Sequence, residues 1–245
     1  MTRTSTPVKP PEPTESPLSA WMAQPSAKTA LLLAGAAGLL ITLVAAGVQP
    51  VLHVDRAVAS QLHAVALEEP GWTHASRILT DWVVDPWTMR LLLAGAVVGL
   101  WRGGQRLVAV WAACASAAEW VFRGVLRWAI GRERPRWEQP VDSAEFAAMP
   151  SGHAMTAAAT CVLLLWLARC AGAPATALRI GLAMAVLAVI TACFTRVFLG
   201  VHWLSDTLAG ALLGTAMATA AVAACRAVMR PARALPDTAS IDYRR

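Results

Sequence analysis

The feature that most restricts this chain is a series of long apolar segments, each close to the length that crosses a bilayer. A transmembrane helix needs about 20 apolar residues, because the hydrocarbon core is about 30 Å thick. Six segments come close to that length, at about 29–48, 72–101, 106–127, 152–168, 177–195 and 203–225. Charged residues make up 15% of the chain, whereas soluble domains average about 25%. The pattern predicts an all-α, polytopic membrane protein with six transmembrane helices in one bundle.

The polar parts of the chain predict a helix at the membrane interface and a tail at each end of the bundle. After the first span, 54–68 predicts a short amphipathic helix in the membrane interface, because apolar residues share one helical face and Asp55 falls elsewhere. The first 26 residues are rich in Pro, Ser and Thr, which is typical of a disordered tail. The predicted domains are a cytoplasmic tail at 1–26, a six-helix membrane domain at 27–228 and a second cytoplasmic tail at 229–245.

Basic residues predict the orientation of the bundle. Of the 21 Lys and Arg residues, 12 fall on the side of the two termini and eight on the other, and Arg123 lies within a span. Because basic loops stay in the cytoplasm, we expect cytoplasmic termini and a bacterial inner (cytoplasmic) membrane. The net charge of +6 is accounted for by these loops, so no nucleic-acid partner is expected.

Three polar clusters interrupt the apolar pattern, and the predicted topology puts all of them on the outer side. The first, RWAIGRERP at 127–135, follows the third span. The second, PSGH at 150–153, begins the fourth span, and the third, TRVFLGVHWLSD at 195–206, joins the last two. Since these helices enter and leave on one side, we expect the three clusters to form one site.

The residue types in these clusters suit a phosphate ester. Arg127, Arg134 and Arg196 offer planar guanidinium groups that match phosphate oxygens. Ser151 and Gly152 begin the fourth span, where free backbone N–H groups favour an anion and glycine permits close approach. The clusters therefore predict a phosphate-binding site made of these five residues.

Two histidines supply candidates for the reaction itself. His202 is followed four residues later by Asp206, so a helical turn would place the carboxylate beside the ring. Asp206 could then hold one ring nitrogen and leave the other free to attack phosphorus. His153 has no such partner in sequence and suits the role of proton donor.

In order and spacing these motifs resemble the type 2 phosphatidic acid phosphatase superfamily, which also includes vanadium haloperoxidases. The family pattern is KxxxxxxRP, PSGH and SRxxxxxHxxxD, and this chain differs by Arg127 in place of Lys and Thr195 in place of Ser. The resemblance implies that His202 becomes a phosphohistidine, His153 protonates the leaving group and Asp206 supports His202. It also implies that the reaction needs no metal and no other cofactor.

These observations predict a membrane lipid phosphate phosphohydrolase whose partners are a lipid phosphate substrate and membrane lipids. Undecaprenyl diphosphate, phosphatidic acid and phosphatidylglycerol phosphate are the candidate substrates. The short connection at 136–149 favours the polyprenyl diphosphate or a broad specificity. A lipid phosphotransferase with the same site and a non-enzymatic transporter or scaffold remain as alternatives, and the oligomeric state is left open.

Charges within the predicted spans are expected to support the site. Glu119, Arg123 and Arg127 repeat every four residues, so Glu119 is predicted to neutralise Arg123 on the helix that presents Arg127. The same spacing predicts one shared face for Arg77, Asp81 and Asp85. Solvated positions are predicted for two further sets, the histidines His53, His63 and His74 and the loop carboxylates Glu133, Asp142 and Glu145.

Overall fold

The computed structural model describes residues 26–229, and within this range the chain forms eight α helices and no β strand. The helices are α1 (Ala27–Ala45), α2 (Gln49–Glu68), α3 (Pro70–Ile78), α4 (Pro86–Arg102), α5 (Arg106–Ile130), α6 (Gly152–Cys170), α7 (Ala175–Phe198) and α8 (Leu204–Met229). One π-helical turn, Leu79–Val83, follows α3. Apart from their innermost residues, the predicted tails at 1–26 and 229–245 lie outside the described residues.

Six helical segments between residues 26 and 229 are long and apolar enough to cross a membrane. They are α1, the continuous stretch Pro70–Arg102 that holds α3 and α4, and then α5 to α8 in turn. The predicted six-helix membrane fold is therefore confirmed. The third span runs to Ile130, three residues beyond its predicted end, and stops at Gly131, whose φ of 60° is the left-handed conformation that ends many helices.

The helices α6 and α8 form the centre of the bundle. Twelve of the 19 residues of α6 are buried, and so are 12 of the 26 residues of α8. Gly210 allows the two backbones to touch, since a Cβ at this position would lie 2.6 Å from the carbonyl oxygen of Ser151. Small residues permit such close helix packing in membranes, where dispersion contacts replace the hydrophobic effect. This contact fixes α8 against the first residues of α6.

The outer faces of the spans are apolar. Large aliphatic side chains on α1, α4 and α7 are exposed, among them Leu31, Leu32, Leu91, Leu92 and Ile190. A helix that is apolar all round, on its exposed side as well as its buried side, suits a lipid surrounding. The charged groups of the bundle are consequently found at the ends of the spans and in its interior.

Helix α2 begins at Gln49, five residues before the predicted start, and packs on the bundle through a partly polar face. Its buried residues are Asp55, Ala59, His63 and Ala66, which share one face of a helix. Val54 and Val65 of the predicted apolar face are instead exposed. The prediction that His63 is a solvated surface residue is wrong, because its ring is 5% exposed and stacks on Trp137 at a centroid distance of 4.1 Å.

The regular helical face predicted for Arg77, Asp81 and Asp85 is interrupted before Asp85, although the charges of Arg77 and Asp85 both act on Asp81. The π-helical turn at Leu79–Val83 changes the helical repeat between Arg77 and Asp85. Asp85 has an extended backbone and caps α4, its carboxylate accepting from the N–H groups of Trp87 at 2.7 Å and Thr88 at 3.2 Å. An aspartate before a proline at the first helical position is a favoured helix start, so the chain begins a new helix here.

Candidate active site

Backbone and side-chain contacts bring the three polar clusters together at one end of the bundle. The Nε–H of Arg127 donates to the carbonyl of Pro150 at 3.0 Å, which joins the first cluster to the second. The N–H of Ser151 donates to the carbonyl of Asp206 at 3.0 Å, which joins the second to the third. Nη1 of Arg134 lies 3.1 Å from Nε2 of His202, which joins the first to the third. The predicted convergence of the clusters is therefore what the fold produces.

His202 lies in the turn between α7 and α8 and is 1% exposed. Its backbone N–H and that of Val201 both donate to the carbonyl of Arg196, at 3.1 and 3.2 Å. The turn begins at Gly200, whose φ of 72° is costly for other residues. Nε1–H of Trp137 donates to the carbonyl of Gly200 at 2.8 Å, so the turn is also fastened from the connection before α6.

The contacts of the His202 ring fix its tautomer. A guanidinium can only donate hydrogen bonds, so the contact with Arg134 makes Nε2 of His202 an acceptor and leaves its proton on Nδ1. Nδ1 faces Oδ2 of Asp206 at 3.5 Å, too long for a strong hydrogen bond and short enough for an ion pair once the ring is charged. The unprotonated nitrogen therefore faces the arginines, and the protonated one faces the carboxylate.

Burial and the neighbouring positive charges of Arg134, Arg196 and Arg127 lower the pKa of His202 well below its usual 6.5. The ring is thus neutral at neutral pH, which is the form that can act as a nucleophile. Burial and the charge of Arg196 also lower the pKa of Arg134 to about 10. Arg134 still carries its positive charge at neutral pH.

Two groups hold the carboxylate of Asp206 at the start of α8. Its Oδ2 accepts from the backbone N–H of Trp203 at 2.9 Å, and its Oδ1 accepts from Nη1 of Arg132 at 2.5 Å. Nη2 of Arg132 reaches Oδ2 of Asp55 on α2 at 2.7 Å. Asp55 in turn accepts from both the N–H and the hydroxyl of Ser205. The predicted His202–Asp206 pair is therefore part of a larger buried network.

The other two predicted phosphate-binding arginines lie beside this network, Arg196 buried and Arg127 half-buried. Nη1 of Arg196 is 3.4 Å from both the Thr80 hydroxyl and a carboxylate oxygen of Asp142, and its Nε has no hydrogen-bond partner among the described residues. A Cβ on Gly152 would lie 2.9 Å from Nη2 of Arg127. That guanidinium therefore rests directly on the first residue of α6, where an anion is favoured.

Ser151 and His153 flank Gly152 at the same helix start. Ser151 caps α6 and is fully buried, and its hydroxyl has no partner among the described residues. Such an orphaned buried hydroxyl calls for an explanation, and a bound phosphate would provide one. His153 is half-buried in the first turn, and the charges of Arg196 and Arg127 act on it. All eight predicted site residues consequently lie around one polar centre.

The intramembrane charges form a cluster directly below this centre. Glu119 is 1% exposed and lies 4.0 Å from Nε of Arg123, the predicted pair, but also 3.3 Å from Nη2 of Arg90. The hydroxyl of Thr156 on α6 donates to Glu119 at 3.2 Å. Nη1 of Arg123 reaches as far as Gly152, where a Cβ would lie 2.5 Å from it. Glu119 therefore offsets two cations, one of which lies against Gly152 of the predicted phosphate site.

The position of Asp142 differs from the prediction. It was expected to be a solvated loop charge, but it pairs with the buried Arg196 at 3.4 Å. Arg77 on α3 donates to the carbonyl of Val141 beside it. The two other loop carboxylates, Glu133 and Glu145, are exposed as expected. The connection from α5 to α6 thus reaches over the site and brings one carboxylate into it.

Sequence reasoning missed Asp55, Arg132 and Ser205, which contact Asp206 directly or through one another. Arg132 lies inside the first cluster, so its position was a usable signal. Asp55 is 77 residues from Arg132 and 150 from Ser205 in the chain, and nothing in the local pattern marks it. Among residues 26–229 no group of three or more His, Cys, Asp or Glu side chains is arranged to hold a metal ion.

Comparisons with known proteins agree with this architecture. The sequence model of the PAP2 superfamily matches residues 107–230, which is half of the chain. No curated protein sequence matches the chain significantly. Among solved structures, a transmembrane PAP2-type phosphatidylglycerolphosphate phosphatase from Bacillus subtilis matches with a TM-score of 0.70 and 20% identity, over 80% of this chain and 97% of that chain. At this identity the likeness shows a shared fold.

Proposed function

Since this chain belongs to the PAP2 superfamily and is an integral membrane protein, we propose that it is a lipid phosphate phosphohydrolase that acts through His202. One observation carries the proposal. The unprotonated Nε2 of a buried, neutral histidine lies 3.1 Å from Arg134 and is directed towards a cluster of arginines. A nucleophile beside positive charges that neutralise a phosphate is what phosphoryl transfer requires.

In the proposed first step, Nε2 of His202 attacks phosphorus and the bond from phosphorus to the lipid oxygen breaks. His153 takes up a proton as the anionic substrate offsets the charges of Arg196 and Arg127. It donates this proton to the departing oxygen, which leaves as the lipid alcohol or, from a diphosphate, as the lipid monophosphate. His202 gains a positive charge as the N–P bond forms, and Asp206 at 3.5 Å from Nδ1 compensates it. Arg127, Arg134 and Arg196 hold the phosphoryl oxygens, together with Ser151 and Gly152.

In the second step, a water molecule attacks phosphorus and gives a proton to His153. The N–P bond breaks, inorganic phosphate leaves and His202 returns to its neutral form. Every group in this scheme is a side chain or backbone N–H of the chain, so the proposed reaction needs no metal. Activity is therefore expected to survive EDTA, and loss of activity that Mg²⁺ restores would contradict this part of the proposal.

The proposed substrate is a membrane lipid that carries a phosphate or diphosphate. The site lies among membrane-spanning helices with exposed apolar faces, so a substrate tail can stay in lipid while its head enters the polar centre. The short connection before α6, which folds back onto Arg134 and Arg196, favours a polyprenyl diphosphate or a broad specificity over a large, elaborate head group.

The six-helix domain at 27–228 is proposed to lie in a bacterial inner membrane with both tails, 1–26 and 229–245, in the cytoplasm. The excess of basic residues on the side of the termini supports this orientation, and it puts the site outside. A Glu138→Cys variant is expected to react with a membrane-impermeant maleimide in spheroplasts. Protection of that cysteine until the membrane is opened would reverse the orientation.

Phosphate release from a panel of detergent-solubilised lipids tests the function. The panel contains undecaprenyl diphosphate, phosphatidic acid and phosphatidylglycerol phosphate, each assayed with wild type and His202→Ala. We expect wild type to release phosphate from at least one lipid and the variant to release none while it keeps its melting temperature. If wild type releases phosphate from none of them, the hydrolase proposal fails. Repeating the assay with an acceptor lipid then tests phosphotransfer.

A further inference from the structure

A carboxylate from the interfacial helix α2 reaches the partner of the proposed nucleophile. Asp55 is 2% exposed and lies 2.7 Å from Nη2 of Arg132, whose Nη1 lies 2.5 Å from Asp206. Ser205 ties the same groups together, since its N–H and hydroxyl donate to Asp55 and its hydroxyl accepts from Arg132 at 2.7 Å. Four residues from three parts of the chain thus form one buried, hydrogen-bonded network.

The charges of this network do not cancel. Asp55 and Asp206 carry two negative charges, and Arg132 carries one positive charge between them. Among these three groups one negative charge therefore remains. His202, which is neutral at rest, faces Asp206, and the charge of Arg134 acts on both residues. When His202 forms its bond to phosphorus its ring becomes cationic, and the network with His202 then becomes neutral. The free-energy cost of forming a charge in a buried site is lowest when a fixed opposite charge already lies beside it.

Asp55 determines how much of the negative charge of Asp206 remains to compensate the His202 ring. Arg132 divides its guanidinium between the two carboxylates, one on each Nη. Without the charge of Asp55, Arg132 would neutralise Asp206 fully. The guanidinium group of Arg132 could then turn towards Asp206 and form the two parallel hydrogen bonds that arginine prefers with a carboxylate. Asp206 would then have little charge left for the His202 ring.

We propose that Asp55 is a positioning residue of this phosphatase, which draws the charge of Arg132 away from Asp206 so that Asp206 compensates the cationic His202. The inference rests on the proposed function. Asp55 has no contact with His202 and acts only through Arg132 and Ser205. Because α2 also carries the exposed apolar residues Val54 and Val65, a helix at the membrane surface takes part in the charge balance of the reaction.

The test compares kinetics of Asp55→Asn with those of Asp55→Asn/Arg132→Gln. The single variant leaves Arg132 to neutralise Asp206, so kcat is expected to fall about 10- to 100-fold, as loss of one charge-assisted contact implies. KM is expected to change less than about twofold, since the phosphate-binding arginines are untouched. The double variant removes the cation together with its partner and returns the negative charge to Asp206. We expect its kcat to exceed that of the single variant by at least about fivefold.

Arg56→Gln is the matched control, because Arg56 is the next residue on α2 and is exposed. It is expected to keep the wild-type kcat. An unchanged kcat in Asp55→Asn, or a double variant no faster than the single one, would overturn the inference. If the single variant does not fold, the double variant decides alone: a kcat within about tenfold of wild type supports the inference, and a near-complete loss overturns it. Absence of phosphate release by wild type would instead refute the proposed function.

Discussion

Arg134 contacts both the proposed nucleophile His202 and the segment between α5 and α6 that covers the site. Its Nη1 lies 3.1 Å from Nε2 of His202, while its Nε and Nη2 donate to the carbonyls of Phe146 and Glu145, each at 2.9 Å. One guanidinium therefore holds the ring nitrogen unprotonated and fixes the chain on the far side of the site. This arrangement uses the several fixed donors that distinguish arginine from lysine.

Arg134→Lys is consequently expected to lose most activity although it keeps the charge. A single ammonium cannot contact His202, Phe146 and Glu145 together, so we expect kcat/KM to fall by at least about 100-fold, which corresponds to about 3 kcal/mol. Steady-state kinetics on the best lipid of the panel would measure it. Arg136→Lys is the control, since Arg136 is exposed and pairs only with the exposed Glu133 in the structure. Activity of Arg134→Lys within threefold of wild type would show that charge alone suffices.

The lowered pKa of His202 predicts a ring that stays neutral as the pH falls through 6.5. Chemical shifts of the ring nitrogens in protein labelled with ¹⁵N-histidine would measure this directly, and His202→Gln would identify the signals. A histidine of ordinary pKa would be about 90% protonated at pH 5.5, whereas the His202 signals are expected to keep their neutral positions. A titration of these signals with a midpoint near pH 6.5 would contradict the prediction.

The same shift has a consequence for stability. The folded protein keeps His202 neutral, whereas the unfolded chain binds a proton below about pH 6.5. The contribution of His202 to the free energy of unfolding is therefore expected to decrease as the pH falls below 6.5, and it is complete only above that pH. Thermal unfolding of wild type and His202→Gln at pH 5 and pH 7.5 would measure this, and the difference between the two pH values is expected to be smaller in the variant.

Gly152 is predicted to be essential for phosphate binding. An alanine Cβ there would lie 2.5 Å from Nη1 of Arg123 and 2.9 Å from Nη2 of Arg127, so both guanidinium groups would have to move. Inhibition by inorganic phosphate is expected to weaken at least about tenfold in Gly152→Ala. Gly124→Ala, whose Cβ would meet nothing within 4 Å, is expected to bind phosphate as wild type does. Equal inhibition of the two variants would remove Gly152 from the phosphate site.

Asp142 is predicted to oppose phosphate binding. Its carboxylate lies 3.4 Å from Nη1 of Arg196, a group that the proposed mechanism assigns to the phosphate, and like charges repel. Asp142→Asn is therefore expected to lower the inhibition constant of inorganic phosphate about three- to tenfold. Glu145→Gln, an exposed carboxylate of the same connection, is expected to leave it unchanged. Weaker inhibition of Asp142→Asn would mean that Asp142 holds Arg196 in place instead.

The six spans and the three converging clusters could be predicted because each depends on a pattern within a short stretch. The lengths of the apolar segments predict the six spans. The ends of these spans then predict that PSGH and the segment 195–206 lie on the same side of the membrane. The geometry at His202 could be predicted only in part. The spacing of His202 and Asp206 indicates that they meet, but the 3.5 Å separation of Nδ1 and Oδ2 depends on Arg132 and Trp203, which hold the carboxylate.

What could not be predicted depends on how distant segments dock. His63 is predicted in solvent because it lies near the outer interface, but in the fold its ring stacks on Trp137 and is buried. Asp55 is marked as buried only once α2 lies against Arg132 and Ser205. The break at Asp85 is different, since Asp85 and Pro86 together are a local helix-start signal. The prediction of one shared face relied on the spacing of Arg77, Asp81 and Asp85 and did not use this signal.

The most direct test of the account is to look for phosphate on His202 itself. Wild type and His202→Ala would be mixed with a ³²P-labelled lipid substrate, quenched in alkali within milliseconds to seconds and mapped by mass spectrometry. The proposed mechanism predicts an alkali-stable, acid-labile phosphoryl group on His202 in wild type, which forms and disappears at rates compatible with turnover. It predicts no such group in the variant. Turnover with no label on His202, or label on His153 in its place, would contradict it.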